Sequence, residues 1–222
     1  MIKTIAIIPA RGGSKRLHNK NLLPFGGLPL LVHSILYAKL NSDIIDAVYV
    51  STDDAAIKKV AIAYGALVID RPQQLSGDNE PTLSALQHVL QTINETIDDV
   101  VLLQPTNPLR EENLLKEAFE IYKFDNYTSL FTVTRNHHKL GRIENSKFLP
   151  YNYEVGQRSQ DLDPLYFENG LLYITKAKTI LDGMIISKNA FPFIVNHPFG
   201  NVDIDTKDDF DYAEFLYFKN RE

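Results

Sequence analysis

Two short stretches near opposite ends of the sequence carry residue types that handle phosphate. The first, IAIIPARGGSKRLHNKN from Ile5 to Asn21, runs an apolar segment into Gly12 and Gly13 and sets Arg11, Lys15, Arg16 and Lys20 within ten positions. Glycines let backbone N–H groups approach phosphate oxygens, and neighbouring cations neutralise them. Gly12-Gly13 is followed by Ser14-Lys15-Arg16, so neither G-x-G-x-x-G nor G-x-x-x-x-G-K-[ST] is present. Six basic residues precede the first acidic one, Asp43, in a chain of formal net charge −5. Such a local field in an acidic protein suits a small anionic ligand, whereas nucleic acid usually requires a broad basic face.

The second stretch is Asp203-Ile204-Asp205. On a strand, residues two apart share a face, so both carboxylates project together while Ile204 turns to the core. Paired carboxylate oxygens suit Mg²⁺, which takes one or two carboxylates together with waters and substrate phosphates. A helix-capping Asp205 beside a solvated Asp203 is the bland alternative. Basic turn and aspartate pair together describe nucleotidyl transfer, an in-line attack at phosphorus that expels pyrophosphate.

These residues need a scaffold that brings them together. Apolar, β-branched runs at 2–8, 46–51, 66–69 and 99–104 read as buried strands. Between them, 29–40, 54–65 and 82–93 carry apolar residues at spacings of three and four, as amphipathic helices do, and Gly65 stands at a C-cap position. Alternating βα units predict an α/β fold, a mainly parallel twisted sheet with helices on both faces. Ligands of such sheets bind outside the carboxyl ends of the strands, which is where the basic turn falls. From about 135 to 165 the sequence is polar with no long apolar face, an excursion of a length that is usually functional or makes an interface. Regular structure returns at 170–175 and 191–195, and Thr206-x-x-Asp209 then opens a final helix.

With 222 residues, 44% hydrophobic, residues 1–222 can bury a core as one domain. The lack of cysteine excludes a thiol nucleophile and a thiolate metal site. About seven mostly apolar residues at the N-terminus are too few for a signal peptide, and no stretch approaches the roughly 20 apolar residues of a membrane span. A cytoplasmic protein with no membrane and no nucleic-acid partner is the expectation. His137-His138 would point to opposite faces of a strand with no carboxylate at ligand spacing, so these are read as structural or surface residues. His33 and His88 lie in helical patterns and read as core or boundary residues, and the acidic run 208–211 reads as a solvated helix N-terminus.

Six motifs in series, IIPARGGSKRLHNKN, STDD, DRPQQLSGD, LLQPTNPLR, RSQDLDPLYFENGLLYIT and VDIDT, span nearly the whole chain. In that order they resemble the cytidylyltransferases that activate nine-carbon 2-keto sugar acids: the acylneuraminate (CMP-sialic acid) synthetases and their legionaminate and pseudaminate relatives. The resemblance implies a nucleotidyltransferase-type, Rossmann-like fold, CTP and a nonulosonic acid as substrates, Mg²⁺, and a homodimer with residues 135–165 as a dimerisation lobe. Arg11, Gly12, Gly13, Ser14 and Lys15 match the family's phosphate turn, and Lys20 and Asn21 its nucleotide-contacting K-N pair. Arg71 matches an arginine near the nucleotide. Gln104 and Thr106 match the strand end where the family's sugar meets the α-phosphate. Arg158 and Gln160 fall in the lobe that reaches towards the partner subunit's sugar. Asn169-Gly170 opens the strand lining the sugar pocket, and Asp203 and Asp205 match the metal pair.

Three positions depart from the family pattern. His18 stands where proline is common, and Asp163 replaces the first proline of L-P-P. Phe167 stands where some relatives carry an arginine that would pair the sugar carboxylate, which leaves Arg158 or Lys139 for that task. The nearest enzymatic rival activates the eight-carbon acid Kdo, but those enzymes usually read G-K-P where this chain reads N-K-N. A non-catalytic nucleotide-binding subunit on the same fold is the rival from another class, and the intact aspartate pair argues against it.

Overall fold

The structure, a computed structural model, describes residues 3–220. Its strands are β1 (Thr4–Pro9), β2 (Pro24–Phe25), β3 (Leu28–Pro29), β4 (Ala47–Thr52), β5 (Leu67–Asp70), β6 (Asp99–Leu102), β7 (Ser129–Asn136), β8 (Gly141–Glu144), β9 (Lys147–Pro150), β10 (Leu165–Lys176) and β11 (Ala190–Ile194). The helices are α1 (Leu30–Leu40), α2 (Ala55–Ala63), α3 (Thr82–Thr92), α4 (Leu114–Phe124), α5 (Ala177–Leu181) and α6 (Lys207–Lys219). The expected strands and helices are present within a few residues, and α4, α5 and most of β7 add to them. The expected first strand reaches back to Ile2, which lies outside the described residues.

Seven strands form one sheet in the order β11-β7-β10-β6-β1-β4-β5. The sheet is mainly parallel, with β10 antiparallel to both β6 and β7. From Ile5 on, β1 is apolar because both of its faces are covered. Ala6 and Ile8 face α1, α2 and α4 in one cluster, while Ile5 and Ile7 face α3 and α5 in another. A third cluster joins Val202 and Ile204 to Phe25, Leu30 and the apolar side of α6. Gly65 follows α2 at φ +77°, a backbone angle that disfavours any side chain. Thr206 and Asp209 close a reciprocal capping box at the start of α6. Asp209 therefore caps the helix as well as facing water.

Two expectations are corrected. The segment Asp203-Ile204-Asp205 is not a strand: residues 203 and 204 are irregular and Asp205 stands in a bend. Its alternation survives for another reason: Val202 and Ile204 are buried in the α6 cluster, and Ile204 N–H donates to the Thr106 carbonyl at 2.8 Å. The excursion expected at 135–165 begins later, since Arg135 and Leu165 still belong to the sheet. Residues 137–164 carry the β8–β9 hairpin, every residue of which is exposed, and a short 3-10 turn at Ser159–Asp161.

At the far edge of the sheet from the strands' carboxyl ends, Asp99 is fully buried. It accepts a hydrogen bond from Tyr122 Oη at 2.7 Å and pairs with Lys176 at 3.0 Å and with Lys123. Burial pushes its pKa up, but the bonds from Lys123, Tyr122 and Lys176 outweigh it and hold it below the usual carboxylate range. A depressed folded pKa adds stability above the unfolded value near 3.9, and that stability disappears as pH falls through the folded value. Asp99→Ala leaves the buried phenol and two ammonium groups uncompensated and is expected to cost about 3 kcal/mol. Denaturant titrations at neutral and acid pH check this: the gap between variant and wild type should close in strong acid.

Candidate active site

The basic turn after β1 is folded back on itself by its own polar groups. Ser14 N–H donates to the Gly12 carbonyl at 2.9 Å, and the buried Asn21 amide donates to the Arg11 carbonyl at 2.9 Å. Asn19 takes a left-handed conformation at φ 51°, which redirects the chain and brings Lys20 inward. Gly12 N–H donates to Asp53 Oδ1 at 3.0 Å, and a Cβ on Gly12 would stand 2.8 Å from the Cβ of Asp54. The STDD motif after β4 thus backs the turn, which only glycine lets approach so closely. Gly13 has no such neighbour.

A cleft of about 500 Å³ opens at the carboxyl ends of β1, β5 and β6. Arg11, Ser14, Lys15, Lys20 and Asn21 line one side, with Arg71, Gln104, Thr106 and Asp205 around the remainder. Most of the sequence-predicted phosphate, nucleotide and strand-end residues therefore meet in one place. Lys20 is the link between the two ends of the chain: its ammonium donates to the Ile204 carbonyl at 2.7 Å and to Asp205 Oδ1 at 2.9 Å. Arg16 pairs with the other Asp205 oxygen at 2.9 Å. Asp203 is held up in pKa by desolvation and by the charge of Asp205, against a hydrogen bond from Thr106 and the charge of Lys20. Its outer edge meets water, but the protein beneath it supplies the desolvation. Two carboxylates so close, one already costly to ionise, form an oxygen donor set that a divalent cation would relieve.

Arg71 is buried, donating from Nε to Ser51 Oγ at 3.1 Å and from Nη2 to the Ser51 carbonyl. Burial and the nearby Arg11 lower its pKa, partly offset by Asp53. Gln104 points its amide at the Gly170 carbonyl at 3.5 Å, and Gly170 has φ +76°. A Cβ there would approach Asn107 Oδ1 at 2.9 Å.

Three expected residues sit elsewhere. Asn169 spends its side chain inside the sheet, accepting from Thr132 Oγ1 at 2.5 Å and donating to Thr134 Oγ1 at 2.9 Å. Its function in this structure is to shape the bulge of β10 ahead of Gly170. Arg158 is exposed on the excursion, where Asp161 accepts two hydrogen bonds from it, at 2.7 and 3.1 Å. Gln160 is exposed in the same turn. Neither lines the cleft of its own chain.

Other residues carry weight that the motifs do not disclose. Asp78, in the loop before α3, pairs with Arg11 at 2.9 Å and with Lys15. Hydrogen bonding from Lys15 is the main reason its pKa is lowered. Arg110 is buried without a carboxylate, donating to the carbonyls of Leu171 at 2.7 Å and Gln104 at 3.0 Å and to Ser34 Oγ at 3.2 Å. Burial pulls its pKa down to about 10, so it stays charged at neutral pH. Asn107 donates to the carbonyls of Asn169 at 3.1 Å and Val202 at 2.6 Å, joining the strand ends to the aspartate segment. Only the polar character of QPTNPLR hinted at these two; apart from the Gln104 carbonyl, their partners are 61 to 95 residues away. His138 bonds Asn136 Oδ1 through its backbone N–H at 3.1 Å and its Nδ1 at 3.0 Å. Among the described residues no group of three or more His, Cys, Asp or Glu side chains is placed to hold a metal ion, so any metal at the aspartate pair must take further ligands from substrate or water.

The sheet and its cleft define a nucleotidyltransferase-type fold. The structure superposes on that of CMP:2-keto-3-deoxy-manno-octonic acid synthetase complexed with CTP with a TM-score of 0.73, 17% identity, and 98% and 99% of the two chains covered. A 4-diphosphocytidyl-2C-methyl-D-erythritol synthase gives 0.70 and 15%, at the same coverage. The cytidylyltransferase family model matches residues 5–221, and the chain belongs to that family, an enzyme family of nucleotidyltransferases. It is 36% identical over 230 residues to the pseudaminic acid cytidylyltransferase of Campylobacter jejuni serotype O:23/36, covering 100% of this chain and 99% of that one. Identity is 32% over 234 residues, with the same coverage, to the CMP-N,N'-diacetyllegionaminic acid synthase of Legionella pneumophila. The N-acylneuraminate cytidylyltransferase of Streptococcus agalactiae serotype V is 32% identical over 94% of this chain and 52% of its own length. No helix among the described residues is long and apolar enough to cross a membrane.

Asn107→Ala leaves two buried carbonyls without their donor, each worth about 1–3 kcal/mol. The variant is expected to unfold at clearly lower urea concentration and to lose turnover, because Asp203 and Gly170 lose their common anchor. A urea midpoint equal to wild type would place that registry in other contacts.

Proposed function

We propose that this enzyme transfers CMP from CTP to the anomeric hydroxyl of a 2-keto-3-deoxy-nonulosonic acid, releasing pyrophosphate. The observation that carries the reading is Asp205 facing the basic turn across one cleft and joined to Lys20, with Asp203 two residues before it and near enough for the two carboxylates to repel. Full-length relatives whose names specify pseudaminic and legionaminic acids support the substrate class.

In this reading Arg11, Lys15 and the N–H groups of the glycine turn take the triphosphate, with Lys20 and Asn21 beside the nucleotide. The buried Arg71 presents its remaining guanidinium N–H to the base or ribose. Gln104 and Thr106 orient the sugar acid so that its hydroxyl oxygen bonds to the α-phosphorus as the bond to the bridging β-oxygen breaks. Positioning and charge stabilisation contribute most in such a transfer. Asp203 and Asp205 would hold the magnesium ion. Bound there, the ion supplies charge neutralisation to the phosphates. To reach that arrangement Asp205 must loosen its pairs with Lys20 and Arg16, which frees both cations for phosphate.

The enzyme acts as a homodimer in this reading. Ile143, Phe148, Tyr151 and Val155 are 79, 53, 69 and 86% exposed on the excursion. A two-stranded hairpin with such a surface is marginal alone and is stabilised when a second copy covers it. Arg158 and Gln160, outside their own chain's cleft, then reach the partner's sugar site.

Two experiments test these assignments. Asp203→Asn is near-isosteric and is expected to lower turnover at least a hundredfold with a shifted magnesium dependence and an unchanged unfolding midpoint. A near-wild-type rate of pyrophosphate release at saturating CTP, across nonulosonic acids and Kdo, would remove the metal assignment. The protein should elute as a dimer, and mixing Arg158→Ala with Asp203→Asn subunits should return about a quarter of wild-type activity, by counting complete sites after random reassortment. An active monomer, or a mixture that stays inactive despite subunit exchange, assigns each pocket to one chain.

A further inference from the structure

Each arginine among the described residues is committed to a partner, with one exception. Arg11 is held by Asp78, Arg16 by Asp205, Arg142 by Glu144 and Arg158 by Asp161. Arg71 and Arg110 are spent on hydroxyl and carbonyl oxygens. Arg135 is half-buried near the carboxyl end of β7, and its Nε is shut off from water with no hydrogen-bond partner. A desolvated guanidinium N–H without an acceptor is costly, and an acceptor arriving with a ligand is one group that would satisfy it.

The strand register says which ligand site is within reach. Arg135 lies opposite Tyr166, and Val133 opposite Glu168, so these four side chains share one sheet face. Tyr173 lies on that face too, opposite Phe131 on one side and Leu102 on the other. Arg135 is therefore on the sheet face that carries Tyr173 and Leu102, two strands from β6 and four residues nearer than Leu102 to the carboxyl edge, at which the cleft opens. Two strand spacings are roughly 10 Å, most of which an extended arginine side chain can cross. Glu168, the acidic group nearest along this face, accepts from Tyr173 Oη instead. Phe167 lies opposite Thr134 and so projects from the other face, where an arginine would point away from Arg135. The other two candidates for a carboxylate are engaged on the excursion: Arg158 by Asp161, and Lys139 by the Gln157 carbonyl.

We infer that Arg135 anchors the carboxylate of the acceptor sugar acid from within the same chain as Gln104 and Asp203. The assignment rests on the sugar-acid reading above and deepens it. The carboxylate sits on the carbon bearing the attacking hydroxyl, so a fork of two N–H donors at this point fixes the hydroxyl's approach to the α-phosphorus. A Lys or Gln in its place has the reach but not the paired geometry.

The test uses the full-length enzyme with pseudaminic acid and its C1 methyl ester as acceptors. Arg135→Gln should raise the KM for the acid at least tenfold and leave the KM for CTP within twofold of wild type. It should also collapse the preference for acid over ester, and Arg135→Lys should restore part of it. If Arg135→Gln keeps the wild-type preference, the carboxylate is held elsewhere and the inference falls while the activity stands. A rise in both KM values, or a lowered unfolding midpoint, makes Arg135 part of the framework and likewise overturns it. Wild-type enzyme that releases no pyrophosphate with this or any other nonulosonic acid overturns the sugar-acid reading itself, and the anchor with it.

Discussion

The site depends on a single ammonium group. Lys20 Nζ is bonded to the carbonyl of Ile204 and the carboxylate of Asp205, across 184 and 185 residues of sequence. Everything before it in the turn, from Arg11 to Asn19, is shaped to bring it inward. Everything after Ile204 is held by the α6 cluster and the capping box at Thr206. Its side chain is only 12% exposed, which makes the pair stronger than a surface contact and its carboxylate partner harder to lose without penalty. The N-terminal turn and the C-terminal aspartates are consequently one structural unit, although neither touches the other along the chain.

Charge balance in the cleft follows from that constraint. Four cations crowd ten residues of sequence, and their mutual repulsion would splay the turn if acids did not answer them. Asp78 answers Arg11 and Lys15, and Asp205 answers Arg16 and Lys20. The pairs of Arg11, Lys15 and Arg16 are partly or largely exposed, so each adds little stability of its own, while that of Lys20 is largely shielded. Their value is in position: in the proposed reaction a triphosphate would compete with Asp78 for cations already arranged, and a divalent cation would compete with Lys20 and Arg16 for Asp205. Exchange of one set of charge pairs for another would keep the desolvation cost of binding low.

Much of this was legible in the sequence, and for a specific reason. Strand and helix positions follow from apolar periodicity, which is local, and the basic turn is a contiguous run. The aspartate pair was legible by its alternation, yet the alternation is enforced by Val202 and Ile204 in the α6 core instead of by a sheet. What could not be read is long-range pairing of polar groups. Asp78 looks like an ordinary loop acid, Arg110 like a surface arginine, and Asn107 like a turn residue. Their importance arises only when the strands' carboxyl ends come together. Asn169 errs in the other direction: its motif suggested contact with sugar, while its side chain is consumed by Thr132 and Thr134, and the following Gly170 is what faces Gln104.

The reversal of β10 gives the cleft its second half. A parallel strand in its place would enter the sheet at the opposite edge and need a crossover helix packed on one face. Running antiparallel, β10 instead arrives at the carboxyl edge directly from the excursion, and its first residues extend beyond β6 to pair only with β7. That overhang leaves Glu168 and Arg135 on a face that α3 and α5 do not fill. The bulge between Glu168 and Tyr173 then drops the Gly170 carbonyl beside Gln104. One change of strand direction thus sets the polar and aromatic overhang of β10 beside a charged cleft built on parallel βα units. In the proposed transfer the acceptor's oxygen would meet the α-phosphorus between them, at Gln104 and Thr106.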